Sequence, residues 1–486
     1  MNLFQSISIY FNMLLRISMY FYIFLCISVS SFSQDSLSNY LKIAAENNPR
    51  LKTEFLKYSA SLEKIIPAGS LPDPQLELGF YLKPMELVAG NQIADFRLMQ
   101  MFPWFGALKA AKDEASKMAI SNFENFINYR NELFYNTKVI YYNLFQIKKD
   151  IEITGKNLKI LKTIEQIVLI KYKSNYGNSS AATGALMGTG SNNQTSGNSS
   201  MGSMGNQSQS GNANSSSASS SSSMSSAGSS MSSGGQNQMV NLFRIQIEIN
   251  LLENNLALLN DKLKTEKVSF NRYLNRLPET EVFIQDTLIE DELPVNTNSL
   301  VDSIANNPMV KMYLADSVAY NARAKMLKKM SYPMIGLGVN YSVINKSSSS
   351  TSMMNGKDMI MPMLAVTLPI YRKKYNSMIH EAELLRDASA KLSQSVINDL
   401  RSEFQQTIQN YNDANRRITL YAKQSDLANN SLTLLITSFS ANGTDFEEIL
   451  RMENQLLDYE LKKIQAVTDK NSLIAQLLYL TGFNYK

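Results

Sequence analysis

Thioether sulfur is the one soft donor this chain carries in quantity: it has 25 methionines against one cysteine and one histidine. Soft thioethers suit Cu(I) and, by the same softness, Ag(I). Met201 and Met204 form a Met-x-x-Met pair in a Ser/Gly/Asn-rich stretch that also holds Met187, Met224, Met231 and Met239. "MIMPM" sets Met359, Met361 and Met363 two apart, hence on one face of a strand. Met99 and Met101 have the same spacing earlier in the chain, and Met353 and Met354 lie close before "MIMPM". Two readings stay open. The methionines hold a soft cation, or they fill a neutral spacer and irregular space. Other chemistry lacks material. One His and one Cys leave nothing for a His/Cys zinc site or a His-based triad. There is no nucleophile–base set, phosphate loop or His/carboxylate metal cluster, so neither an enzyme nor a cofactor is expected. A dispersed net charge of +5 makes no case for nucleic acid.

The elements that would position these residues come in two copies. "NYLKIAAENNPR" (39–50) resembles "NSLVDSIANNPMV" (298–310). Pro49 and Pro308 are 259 positions apart, as are Pro74 and Pro333, and Gly79 and Gly338. Pro103 and Pro369 then match at an offset of 266. Each copy reads helix, strand, strand, long helix, turn, long helix. Strands are expected at about 73–83, 94–102, 332–343 and 359–369. Long helices are expected at about 106–175, 240–277, 373–438 and 444–482, with turns at Gly177 and Gly443. The helical runs are Pro-free with apolar residues three and four apart, so they must pack along their length as coiled coils do.

The strands alternate. Leu76, Leu78, Phe80 and Leu82 share one face, and Gln75, Glu77, Gly79 and Tyr81 the other. Phe96, Leu98 and Phe102 oppose Asp95, Arg97, Met99 and Met101. The second copy alternates in the same way, and its three "MIMPM" methionines fall on the polar, inward side. Strands of this length and pattern suit a transmembrane barrel with apolar residues outward. An antiparallel sandwich gives the same alternation. Four strands cannot close a barrel alone, so closure would need further copies. Trp104, with Phe102 and Phe105, sits where strand becomes helix, as a membrane-interface aromatic does. Glu77, Asp95 and Arg97 are placed to pair across strands.

The N-terminus reads as an export signal. Residues 17–29 are an apolar run behind Arg16, and "SFS" (31–33) permits cleavage before Gln34. Met13 is a more usual start than Met1. The alternative is a membrane anchor, for which the run is short. Cys26 lies within this leader behind bulky Phe24 and Leu25, unlike a lipoprotein site, so no disulfide is expected in the mature chain. Downstream there is no long uncharged apolar stretch. A membrane crossing must therefore use β-strands.

The duplicated order, the "NNP" opening each copy, "DPQLELGF" and "QMFPWFGALKAAKDEA" together resemble the TolC-like outer-membrane efflux proteins. The likeness covers residues 35–486 apart from the insert, and "FPWFG" is most similar to the heavy-metal efflux branch. It implies a chain that is mainly α with transmembrane β. It divides into a signal peptide (1–33), a first repeat (34–278) with a low-complexity insert (177–239), a linker (279–296) and a second repeat (297–486). It implies a homotrimer in the outer membrane of a Gram-negative bacterium. Each copy would give four strands to a shared twelve-stranded barrel, and the helices would form an α-barrel through the periplasm. A periplasmic adaptor, an inner-membrane pump and outer-membrane lipid would be its partners. The acids after the second turn, Asp445, Glu447 and Glu448, would then narrow the pore, with Arg451 where a second acid is usual. Equally, such acids favour any first helical turn. The insert would sit at the periplasmic tip. Export of Cu(I) or Ag(I), export of drugs, other organic molecules or a secreted protein, and a secreted coiled-coil adhesive protein are the functions these features allow.

Overall fold

The computed structural model describes residues 37–182, 234–288, 293, 297–442 and 446–482. The leader, Met201, Met204, Met224, Met231, Gly443 and Asp445 lie outside the described residues. The first repeat runs α1 (Leu37–Asn47), α2 (Pro49–Glu63), α3 (Ile65–Ala68), β1 (Gln75–Leu87), β2 (Gly90–Phe102), α4 (Ala107–Ala182) and α5 (Gly234–Leu274). The second runs α6 (Thr297–Ser303), a 3-10 turn, α7 (Pro308–Met330), β3 (Met334–Asn345), β4 (Met359–Thr367), α8 (Arg372–Asn442) and α9 (Phe446–Leu480).

The repeated "NNP" works alike in both copies. Pro49 and Pro308 occupy the first helical turn, where a missing N–H costs nothing. Asn48 Oδ1 accepts from the backbone N–H of Arg50 (3.0 Å) and Leu51 (3.1 Å), and Asn307 Oδ1 accepts from Met309 N–H (2.8 Å). Each carboxamide also donates to the end of its repeat's last helix. Asn48 Nδ2 reaches Tyr273 O (3.0 Å), and Asn307 Nδ2 reaches Tyr479 O (3.2 Å) and Leu480 O (2.9 Å). One buried side chain thus starts the first long element of a repeat and ties down its last.

Several boundaries differ from the sequence reading. Helix α4 continues through Gly177 to Ala182, and α5 begins at Gly234. Gly costs only about 1 kcal/mol in a helix interior, so Gly177 does not break a Pro-free helix. Helix α5 stops at Leu274 because Asn275 adopts φ +53°. Arg276 N–H then donates to Asn271 O (3.0 Å) and Asn275 N–H to Arg272 O (3.3 Å), a Schellman cap. Strands β1 and β2 are longer than their alternation, because the hairpin closes tightly at Val88–Ala89 with Gly90 at φ +122°. A register shift between Phe80 and Met85 absorbs Lys83 and Pro84, which interrupt the pattern.

The sheet is antiparallel in the order β1-β2-β3-β4. Its outer strands, β1 and β4, carry Pro84 and Pro362, and the central strands carry no proline, as edge positions allow.

The chain forms two compact units. The first holds residues 37–152, 258–426 and 458–482 among those described, and so contains the sheet. One of its cores packs Tyr40, Tyr141, Leu144, Phe270 and Leu274, with Tyr40 edge-on to Phe270 at 5.1 Å. Another packs Leu300, Val310, Leu400, Phe404, Leu477 and Leu480. The second unit, 153–257 and 427–457, is built from parts of the four long helices. It buries Leu161, Ile164, Ile245 and Ile249 of the first repeat, and Phe439, Phe446 and Ile449 of the second.

Candidate functional site

The central strand β3 inverts the usual burial rule. Along β3, Ile335, Leu337, Val339 and Tyr341 are exposed, whereas Gly336, Asn340 and Ser342 are buried. Leu76, Leu78, Phe80 and Leu82 on β1 are exposed, as are Leu98 on β2 and Ile360, Leu364 and Val366 on β4. Register brings these together: Leu76, Leu98, Val339 and Pro362 form one cross-strand row, and Leu78, Phe96, Tyr341 and Ile360 another. An apolar face this continuous is far larger than isolated exposed side chains account for.

Aromatic rings mark the middle of this face and its helix end. At mid-strand, Phe80 stands edge-on to Phe96 (6.0 Å), which neighbours Tyr341 (6.3 Å). Toward the helices, Trp104 stacks on Tyr332 at 5.6 Å and meets Phe105 at 6.0 Å. Phe102 ends β2 beside them. Sequence reasoning placed Phe102, Trp104 and Phe105 where strand becomes helix. It missed the mid-sheet cluster of Phe80, Phe96 and Tyr341, because those rings come from three strands and only register assembles them.

The opposite face gathers the polar residues and the methionines. Arg97 Nη1 pairs with Glu77 Oε2 at 3.0 Å, and Ser342 Oγ donates to Asp95 Oδ1 at 3.1 Å. Gln75, Met99, Gly338 and Met363 form one row; Glu77, Arg97, Asn340 and Met361 the next; and Gly79, Asp95, Ser342 and Met359 the next. Met101 lies one row toward the helices, opposite Gly336. A Cβ at Gly336 would come within 2.5 Å of Met101 Sδ, so this thioether lies over the glycine. No side chain stands between Met99 and Met363, because Gly338 separates them. Met99, Met101, Met359, Met361 and Met363 therefore share one face, whereas Met201, Met204, Met224 and Met231 lie outside the described residues. Among the described residues no group of three or more His, Cys, Asp or Glu could hold a metal ion.

At the second turn, Glu447 and Glu448 open α9. Glu447 Oε2 pairs with Arg244 Nη1 of α5 at 3.0 Å, and Glu448 pairs with Arg451 one turn on. Both described acids thus have a cationic partner, and Arg451 serves Glu448 rather than merely replacing an acid. Nearby, Lys171 donates to the carbonyl of Phe439 and lies 4.4 Å over its ring. Exposed pairs of this kind are worth about 0–1 kcal/mol each.

Sequence reasoning also missed two charged sites on the long helices. Arg417 holds Asp413 one turn back (2.9 Å) and reaches Asp469 of α9 with both terminal nitrogens (3.0 Å each). Beside it Tyr135 stacks on Tyr479 at 5.5 Å, and burial, with Glu132 and Glu403 adding to it, pushes the Tyr479 phenol up to about 12. Asp150 is half-buried on α4, and loss of hydration raises its carboxyl to about 6 despite the opposing pull of Lys262 and a hydrogen bond from Gln146. Asp413 and Arg417 do have i,i+4 spacing, but the cross-helix contacts, Arg417 to Asp469 and Asp150 to Lys262, have no spacing signal.

No family model and no curated protein matches the chain. Solved structures do. The outer-membrane channel OprN superposes with a TM-score of 0.66 at 12% identity, over 93% of this chain and 91% of that one. CusC, described in terms of folding and transmembrane channel formation, gives 0.65 at 14% identity over 93% of each chain. The outer membrane protein VceC of Vibrio cholerae gives 0.65 at 12% identity, over 93% of this chain and 97% of that one. The fold is that of these channels, and it is the mainly α, four-stranded architecture that the TolC-like resemblance implies.

Proposed function

We propose that this chain is the outer-membrane channel of a tripartite efflux system, a duct rather than an enzyme. It passes cargo from the periplasm to the exterior as a homotrimer, with a periplasmic adaptor and an inner-membrane pump supplying docking and energy. One observation carries the reading: a sheet with an exposed apolar face, a polar opposite face and two unpaired edges, on a fold shared with solved outer-membrane channels. In water that face would be a large unexplained cost; in lipid it is the required exterior, and pairing β1 of one copy with β4 of the next removes both edges. A secreted adhesive filament has no use for such a face.

The cargo we favour is monovalent copper or silver. Support comes from Met99, Met101, Met359, Met361 and Met363 sharing the polar face, and from the methionines of the insert. Export of drugs, other organic molecules or a secreted protein is the second reading, in which the methionines are dispensable. Asp445, Glu447 and Glu448, with Arg451 beside Glu448, form the proposed constriction at the inner end of the duct. Phe102, Trp104 and Phe105 form its inner membrane-interface belt. The deciding experiment measures copper and silver tolerance in cells with the intact gene, with residues 178–238 deleted, or with the insert methionines changed to leucine, at equal protein levels. Metal sensitivity in both variants with unchanged drug tolerance supports the metal reading. No metal effect, together with drug sensitivity on gene loss, removes it and leaves the channel.

A further inference from the structure

We propose that the junction between sheet and helices binds an anionic phospholipid of the periplasmic leaflet, with an acyl chain against Trp104 and the phosphate on a collar of lysine and arginine. The inference rests on the channel reading and adds a ligand class to it.

Strand register sets the geometry. Phe102 pairs with Ile335, and Ile335 with Val366, so β2 ends, β3 begins and β4 ends at one edge of the sheet. The residues flanking those strands meet there, as the Trp104–Tyr332 stack attests. Between them lies a mainly apolar groove of about 450 Å³, lined by Leu71, Phe102, Trp104, Phe105, Ile335 and Leu337 among others. It opens on the apolar face of the two central strands. Closing a barrel through β1 and β4 would leave it uncovered and facing lipid.

Cations follow and precede the strands at this same edge of the sheet. Lys328 and Lys329 end α7, and Arg372, Lys373 and Lys374 begin α8, directly after exposed Leu368, Ile370 and Tyr371. All five are exposed, and among the described residues none forms an ion pair. Lys328 and Lys329 suit the negative end of their helix, which accounts for them without a ligand. The second group has no such account, because three cations in the first turn of α8 oppose its dipole and that turn holds no acid. Lys329 Nζ also lies 5.9 Å from the centre of the Tyr332 ring, joining the collar to the aromatic pair. An apolar groove below, an aromatic pair at its rim and uncompensated cations above match an acyl chain, a glycerol region and a phosphate in order. Free phosphate satisfies only the last of these.

The test uses the full chain reconstituted in vesicles of phosphatidylcholine alone or of phosphatidylcholine with cardiolipin, with lipid retention read by native mass spectrometry and channel stability by thermal melting. Parent protein should retain cardiolipin and melt higher with it. The variant with Lys328, Lys329, Arg372, Lys373 and Lys374 all changed to Gln should bind cardiolipin on the order of tenfold to a hundredfold more weakly, yet melt like the parent in phosphatidylcholine. Trp104→Ala should lose retention as well. Equal retention by parent and Gln variant overturns the proposal, and so does equal stabilisation by inorganic phosphate in phosphatidylcholine. Insertion without any anionic preference overturns this proposal and leaves the channel reading intact. Failure to insert into either vesicle overturns both.

Discussion

Val339 and Met361 offer a matched pair of sites on opposite faces of the sheet. They are equally exposed, at 47% each, and sit on the neighbouring strands β3 and β4. Val339 lies near the middle of β3 in the apolar row with Leu76 and Leu98. Met361 lies on the polar face, in the row of Arg97 and Asn340. If the apolar face meets lipid, Val339→Arg places a cation near the bilayer midplane, which costs about 2–4 kcal/mol. Met361→Arg places the same charge in a water-filled lumen beside an existing arginine, and repulsion there is about 1 kcal/mol or less. If both faces of the sheet met water, neither site would differ from ordinary surface, and both changes would stay within about 0.5 kcal/mol. Urea unfolding of the two variants in lipid vesicles measures the difference directly. A gap of at least about 1 kcal/mol, with Val339→Arg the weaker protein, is the expected result. Equal stabilities would refute the assignment of the faces, and a larger loss at Met361 would reverse it.

Asn307→Ala removes a helix cap and two hydrogen bonds to buried carbonyls, so chemical unfolding should register a loss of about 2–3 kcal/mol. Asn48→Ala should cost a similar amount, since its bonds are the same in kind. Asp150 has a carboxyl raised to about 6, so the folded state keeps a proton that the unfolded chain releases at lower pH. Its contribution to stability therefore falls as pH rises from the ordinary carboxylate range to about 6, and the penalty is complete above that. Asp150→Asn should stabilise by about 1–3 kcal/mol at pH 8 and by almost nothing at pH 4; a pH-independent effect would contradict the burial argument. Arg451→Ala releases Glu448 from its partner. Single-channel recording should then find higher cation selectivity, and an unchanged reversal potential would place Glu448 away from the pore.

The sequence by itself determined the duplicated order, the strand alternation and the long helices, because these are written in local periodicity. Pro49 and Pro308 keep the same relation to their neighbours in each copy, and period two along "DPQLELGF" needs no partner to be seen. Spacing of two also puts Met359, Met361 and Met363 on one face of β4, as the ladder has them. Boundaries were less legible where local signals competed: Gly177 reads as a break but is tolerated in α4, and Lys83 and Pro84 end an alternation that the ladder resumes. What only the tertiary structure decided depends on residues far apart in the chain. Pairing α5 with α9 gives Glu447 to Arg244, and register puts Met99 and Met363 on either side of Gly338. The tie from Asn307 to Leu480 spans 173 positions, and no period along one element encodes it. Above all, the same alternation serves a soluble sandwich or a membrane barrel. What the tertiary structure adds is that Leu78, Leu98 and Val339 stand exposed on one face while Asn340 is buried on the other, because no alternation along a strand reports burial.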